Sequence, residues 1–185
     1  MEIQQEVVER FVKGDMMAFQ QVYDQTSPAI YAHICRLTRQ DSVAEDLAHD
    51  VYVKIYDARH TYDVSKAFMP WLYRVAYHHT LNWLKRRSWL GVRLAEIFWN
   101  RHPVGAHVDE YCEGDGLVDE VMASLSADHR MCLDLFVVQE FSIQEVSEIL
   151  DVPIGTVKSR LKRARDAFRV RYTQLSEQKE VLKDV

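Results

Sequence analysis

The stretch from Phe141 to Arg171, FSIQEVSEILDVPIGTVKSRLKRARDAFRVR, admits few folds. Ser142 followed by Glu145 is a capping box, S-x-x-E, which satisfies free N–H groups at a helix start. Ile143, Val146, Ile149 and Leu150 then give that helix one apolar face. Asp151-Val152-Pro153 ends it, because a proline pushes the preceding residue out of the helical region. Gly155-Thr156 opens a second helix, on which Val157, Leu161, Ala164 and Phe168 share a face. Its other faces carry Lys158, Arg160, Lys162, Arg163, Arg165, Arg169 and Arg171 against one acid, Asp166. Helix, tight turn and basic amphipathic helix make a helix-turn-helix, whose second helix enters the major groove of DNA. The plainer alternative is a solvated basic face on a helix that only packs. Capping box, stop, glycine and one-sided basicity together favour the DNA reader. Ser159, Lys162, Arg163 and Asp166 point furthest from the Val157/Leu161 face. With Thr156 and Lys158 near the helix start, they are the candidates for base or phosphate contact.

Charge separates this segment from the rest. Residues 155–171 hold seven Lys/Arg against one Asp, or +6, which leaves −11 elsewhere in a chain of net charge −5. A basic reading head on an acidic body points to a second partner that is not DNA. With 185 residues, 48% hydrophobic content, four Pro and six Gly, the chain has material for one domain or two small ones and is not disordered. Cys35, Cys112 and Cys132 are scattered without a C-x-x-C pair, which predicts reduced, buried thiols in a cytosolic protein without a signal peptide. No apolar run approaches the roughly 20 residues that span a bilayer.

In chain order, residues 2–13 read as a helix with Ile3, Val7, Val8, Phe11 and Val12 on one side, broken at Gly14-Asp15. Residues 15–39 read as two helices meeting near Ser27-Pro28, since proline suits a first helical position. Met16, Phe19, Val22 and Tyr23 form the first apolar face, and Ile30, Ile34 and Leu37 the second. A strongly marked helix covers 42–58, with a second capping box at Ser42/Glu45 and a core face of Ala44, Leu47, Ala48, Val51 and Ile55. Its other side is an acidic stripe of Asp46, Asp50 and Asp57, with Glu45 and His49 beside it. Like charges at i, i+4 repel by a few tenths of a kcal/mol, so the stripe hints at a basic partner.

A polar loop, 59–66, leads through Phe68-Met69-Pro70-Trp71 into a long helix. Leu72, Val75, Ala76 and Trp83 face inward; Arg74, His78, Asn82 and Lys85 line another stripe, followed by Arg86 and Arg87. Tyr73, Tyr77 and Trp89 are interleaved with the bases. Stacking aromatics among cations suit single-stranded nucleic acid; core aromatics above a cationic helix end are the alternative. Trp89-Leu90-Gly91 and Ile97-Phe98-Trp99 are apolar patches. From Pro103 the chain turns Gly-rich and acidic, with Asp109, Glu110, Glu113 and Asp115, and reads as a linker. A helix over 117–124 follows. Ser126 caps another in which Met131, Leu135 and Val138 are the apolar positions. Residues 176–185 read as a frayed tail. The expected class is all-α: two small helical domains, 1–100 and 117–175, joined by a flexible acidic linker at 101–116, the second containing the helix-turn-helix.

The order of these parts resembles an extracytoplasmic-function sigma factor, the small two-domain branch of the sigma-70 family. The likeness runs from about residue 10 to 172 and is carried by AEDLAHDVYVKIY at 44–56, FMPWLYRVAY at 68–77 and VPIGTVKSRLKRARDAF at 152–168. The resemblance implies that helix 44–57 binds core RNA polymerase through Asp46, Asp50, Val53 and Lys54. It implies that the loop and helix 59–87 take the melted −10 strand and a flipped base, through Arg59, Tyr62, Lys66, Trp71, Arg74, His78, Asn82, Lys85 and Arg86. The duplex −35 element falls to Thr156, Lys158, Ser159, Arg160, Lys162, Arg163 and Asp166. The resemblance also implies an anti-sigma factor as a partner. The family often has Asn at the place of His78, Asp at that of Asn82, Leu-Pro at Leu125-Ser126 and a polar cap where Pro153-Ile154 stand.

The function implied is a promoter-recognition subunit of bacterial RNA polymerase, not an enzyme, with no cofactor and no metal, acting in the cytoplasm without membrane insertion. The alternative is a one-component helix-turn-helix regulator with a sensor domain in residues 1–100, which would bind a palindromic site without polymerase. His78-His79, His102 and His107 fit no metal motif, and no hydrolase or P-loop motif is present.

Overall fold

The structure, a computed structural model, describes residues 3–98 and 116–183, with side chains for 3–87 and 116–178. The chain divides into two compact units, Met1–Val108 and Asp109–Val185. Both are helical, and no strand occurs among the described residues. The expected linker, Cys112 and the side chains of the patches at 89–91 and 97–99 lie outside the described residues.

The N-terminal unit is built from α1 (Gln5–Val12), α2 (Met16–Thr38), α3 (Asp41–Ala58), a 3-10 turn (Arg59–Thr61) and α4 (Phe68–Phe98). Gly14 makes the first turn with φ of 89°, a left-handed conformation that glycine adopts without strain. Asp15 then caps α2 by accepting from the N–H groups of Met17 and Ala18 at 2.8 and 3.2 Å. Arg10 holds that carboxylate from α1, with Nε 2.8 Å away, and its hydrogen bond lowers the Asp15 pKa.

Helix α2 corrects the expected break at Ser27-Pro28: it is one helix through the proline. Pro28 and Asp24, whose carbonyl the proline leaves without its helical donor, both lie on the exposed side, where solvent can reach that carbonyl. On the opposite side Ala18, Val22, Thr26, Ile30, Ile34 and Leu37 are buried in one unbroken phase. Thr26 donates its hydroxyl to the Val22 carbonyl at 2.6 Å and accepts from the Tyr52 hydroxyl of α3 at 2.7 Å. Met16 and Tyr23, expected in the core, are 59% and 39% exposed.

The capping box expected at Ser42/Glu45 is not formed. Arg39 turns the chain in the left-handed region (φ 56°), and α3 begins from Gln40, a residue pair earlier than the box requires. Cys35 donates to Asp41 at 2.7 Å and Arg87 to the Gln40 side chain at 2.6 Å, so tertiary contacts set this helix start. The core face of α3 is as expected, with Ala44, Leu47, Ala48, Val51 and Ile55 buried and Tyr52 added.

In the C-terminal unit, α5 (Gly116–Ser124), α6 (Ala127–Leu133) and α7 (Ile143–Leu150) pack along α8 (Ile154–Lys183), and a π-helical turn (Asp134–Val138) packs against α6 and α7. Ser126 caps α6 as expected. Val138 does not face the core: it is 53% exposed. The π turn, closed by Gln139 N–H on the Asp134 carbonyl at 3.0 Å, inserts an extra residue per turn and swings 137–138 outward. Leu175 is buried and α8 continues to Lys183, so helical order extends beyond the expected end at 175.

All four tryptophans lie in the N-terminal unit, so their fluorescence reports its unfolding alone. Ile30→Ala, which empties a fully buried site, lowers the stability of that unit by about 2–5 kcal/mol in urea titration followed by tryptophan emission. Ser142→Ala leaves that curve in place and destabilises the other unit by about 1 kcal/mol, read from helical circular dichroism.

Candidate nucleic-acid interface

On the N-terminal unit, two surfaces of α3 and α4 carry the candidate residues. Asp46, Asp50, Val53 and Asp57 follow one another at i, i+4, i+7 and i+11 and are all exposed, Val53 being 48% so. A negative stripe with one apolar side chain in it is a surface that fits a cationic, partly apolar partner. Beside it, between the end of α3 and the first half of α4, lies a cleft of about 510 Å3. Its walls bring together Trp71, Arg74, His78 and Asn82, four of the residues expected to meet a melted strand, with Lys54, Ala58, Thr61, Val75 and His79. Lys54, expected on the polymerase side, therefore also faces the cleft. Cations, a half-buried indole and an amide around one concavity can hold a phosphate and stack or hydrogen-bond a base.

The loop 62–67 is shaped from within. Asp63 accepts from the Ser65 N–H at 3.0 Å and from its hydroxyl at 2.7 Å, and the hydroxyl bond chiefly lowers the Asp63 pKa. Gln5 of α1 donates to the Val64 carbonyl at 2.9 Å. Tyr62, expected to touch DNA, is 6% exposed. Its ring meets Phe68 edge-on at 5.5 Å and Trp71 at 5.0 Å, and its hydroxyl donates to the Lys66 carbonyl. Burial raises its pKa. Tyr62 thus braces Trp71 and the loop, and Lys66 remains exposed. Arg59 is likewise turned to the fold: it donates to the Tyr56 carbonyl at 2.5 Å and lies over the Tyr56 ring at 4.2 Å.

Among the described residues, the aromatic stacking platform expected on α4 narrows to Trp71, and the Trp89 side chain lies outside them. Tyr73 and Tyr77 are 1% and 5% exposed and belong to the core, where Tyr73 meets the buried His33 ring at 5.1 Å. Of the stripe, Arg74, Asn82, Lys85 and Arg86 are exposed and His78 is half-buried against Tyr77. Sequence reasoning missed His79, whose Nε2 stands 3.1 Å from Asp50 Oδ2. The two lie 29 positions apart on different helices, and no local spacing signals the pair.

In the C-terminal unit the helix-turn-helix stands as expected. Both bonds of the Ser142/Glu145 capping box are present. Asp151 closes α7 in the left-handed region (φ 55°), and Ser147 ties the turn by donating to the Val152 carbonyl at 2.6 Å. The Pro153 carbonyl takes the place of a polar cap, accepting from Thr156 and Val157 at 2.8 and 3.1 Å. Val157, Leu161 and Ala164 are buried, which turns Lys158, Ser159, Lys162, Arg163 and Asp166 outward; Thr156 is half-buried. Arg160, expected at the −35 duplex, is paired within the unit. Its guanidinium pairs with Asp128 of α6 at 2.9 Å and is only 23% exposed, so it orients α8 from inside the unit. Beneath it, burial pushes the Cys132 thiol up to about 11, against the pull of Arg160. Cys35 and Cys132 are buried and form no disulfide. Among the described residues no cluster of three or more His, Cys, Asp or Glu could hold a metal, and no helix is long and apolar enough to cross a membrane.

Two family models match the chain: Sigma-70 region 2 over residues 22–90 and Sigma-70, region 4 over residues 115–168. The chain is 30% identical over 177 residues to the RNA polymerase sigma-H factor of Pseudomonas aeruginosa, covering 89% of this chain and 91% of that protein. It is 27% identical over 176 residues to the ECF RNA polymerase sigma factor SigW of Bacillus subtilis, covering 88% and 92%. Its fold matches the sigma factor RpoE of Bartonella quintana, solved in complex with the anti-sigma factor NepR, with a TM-score of 0.71 at 24% identity, over 84% of this chain and 96% of that one.

The raised Cys132 pKa makes a pH prediction for the C-terminal unit. The unfolded thiol ionises near its ordinary value of 9.0 and the folded one near 11, so the folded unit holds its proton longer. Stability from this group is complete below about pH 9 and is lost as pH rises toward 11. Urea midpoints measured by circular dichroism across that window fall more steeply for the wild type than for Cys132→Ala.

Proposed function

The chain belongs to the extracytoplasmic-function branch of the sigma-70 family, and we propose that it is a transcription initiation factor that binds core RNA polymerase and directs it to specific promoters. The observation that carries this reading is the placement of the two matched regions. Region 2 coincides with the α3 stripe and the α3–α4 cleft, and region 4 with the capped helix-turn-helix. The family consists of initiation factors, and the chemistry of RNA synthesis belongs to polymerase, so this chain acts by binding and is not itself an enzyme. It works in the cytoplasm, where polymerase and promoter are. By likeness to RpoE with its bound NepR, an anti-sigma factor restrains it.

The roles divide by surface. Asp46, Asp50 and Val53 on the outer side of α3 meet core polymerase. Trp71, Arg74, His78, Asn82 and Lys54 around the cleft take the melted −10 strand, with Lys66, Lys85 and Arg86 along its backbone. Lys158, Ser159, Lys162, Arg163 and Asp166, with Thr156 at the helix start, read the −35 duplex. A bidentate Arg or Lys contact to guanine there gives about 1–3 kcal/mol of discrimination per base. Arg59, Tyr62 and Arg160 support these surfaces from behind.

Run-off transcription on genomic fragments, with core polymerase in the presence and absence of this protein, tests the reading: specific transcripts require both. Arg163→Ala lowers promoter occupancy at the upstream element and leaves the pull-down of core polymerase intact; loss of the pull-down would remove Arg163 from the DNA surface. Asp50→Arg loses core binding first, and wild-type transcription by that variant would sink the assignment of the stripe.

A further inference from the structure

The residue that joins the two functional surfaces of the N-terminal unit is His79. Its ring lines the cleft, and its Nε2 reaches across to Asp50 on the outer stripe of α3 at 3.1 Å. The Asp50 side chain is 59% exposed and the His79 side chain 19%, so the carboxylate faces solvent while its tether is sheltered. One carboxylate oxygen takes the bond; the other stays open to an incoming cation. We infer that His79 is a positioning residue for polymerase binding, holding the Asp50 carboxylate in one orientation without cancelling its charge. This rests on the assignment of the α3 stripe to core polymerase.

The charge state supports the geometry. Burial lowers the His79 pKa, Lys54 of α3 and Arg86 of α4 act in the same direction, and the Asp50 hydrogen bond opposes them. The ring is therefore uncharged at neutral pH and donates Nε2–H to the Asp50 carboxylate without adding a positive charge to the stripe. A lysine or arginine at this place would neutralise the stripe, and an aliphatic residue would leave Asp50 free to rotate. Asp50 also sits at i+4 from Asp46, where like charges repel, and the donated hydrogen bond offsets that repulsion locally. A side chain ordered before its partner arrives loses less freedom on binding.

The test measures dissociation constants of the full chain for purified core polymerase. His79→Leu weakens binding about three- to tenfold, the worth of one preordered side chain. His79→Gln, whose amide can donate to the same oxygen, stays within about twofold of wild type. Asp50→Ala weakens binding at least as much as His79→Leu, and adding His79→Leu to it changes nothing further. Wild-type affinity in His79→Leu beside weakened Asp50→Ala overturns the inference and leaves the stripe assignment standing. Equal losses in His79→Leu and His79→Gln also overturn it, since ring shape rather than the donated proton would then matter. Wild-type affinity in Asp50→Ala removes the stripe assignment, and the inference with it.

Discussion

The N-terminal unit depends on a buried hydroxyl pair, Thr26 on α2 and Tyr52 on α3. Tyr52 donates to Thr26, which donates in turn to the Val22 carbonyl, so both hydroxyl protons find an acceptor in the core. The bond lies just before Pro28, where a helix is weakest, and α1, α3 and α4 all pack on α2. A break there would separate the supports of α1 from those of α4. Burial raises the Tyr52 pKa, its bond to Thr26 opposing, so the phenol remains a donor. From this spine α3 and α4 take their places, and the cleft forms where their outer surfaces diverge.

What could be read from the sequence followed from local rules that tertiary contacts leave alone. The Ser142/Glu145 box, the stop at Asp151 and the apolar faces of α3 and α8 all appear where periodicity and capping put them. The misreadings arose where tertiary contacts overrode a local signal. Pro28 marks a helix start only if its neighbours lack an in-phase face, and Val22, Thr26 and Ile30 supply one. Ser42 and Glu45 satisfy the capping pattern, yet Gln40 held by Arg87 starts the helix earlier. Val138 follows the helical period until the π turn shifts it.

The candidate site was legible in outline and less so residue by residue. Interleaved aromatics and cations on α4 look alike whether the rings stack on bases or fill a core. Only burial separates Tyr73 and Tyr77, inside, from Trp71, at the cleft. Charge is ambiguous in the same way. Arg160 belongs to the basic stripe in composition and to Asp128 in space. The Asp50–His79 contact, with no local pattern, was beyond any reading by spacing.

These reassignments bear on how tightly the recognition helix holds DNA in the proposed reading. Each phosphate neutralised adds affinity through counterion release, so committing Arg160 to Asp128 removes one contact from the helix's reach. Asp166, exposed on the same face, repels phosphate. A chain of net charge −5 gathers DNA poorly by its overall field. Weakness of this kind is useful to an initiation factor, because strong binding by the free chain would occupy promoters without polymerase. Joining two modest DNA surfaces and a polymerase surface on one chain changes the balance. Once one surface engages, the others bind as if at high local concentration, and the combined affinity exceeds each alone. In the proposed reading, promoter selection then draws on every surface at once, and the acidic α3 stripe, useless toward DNA, becomes the condition for the rest.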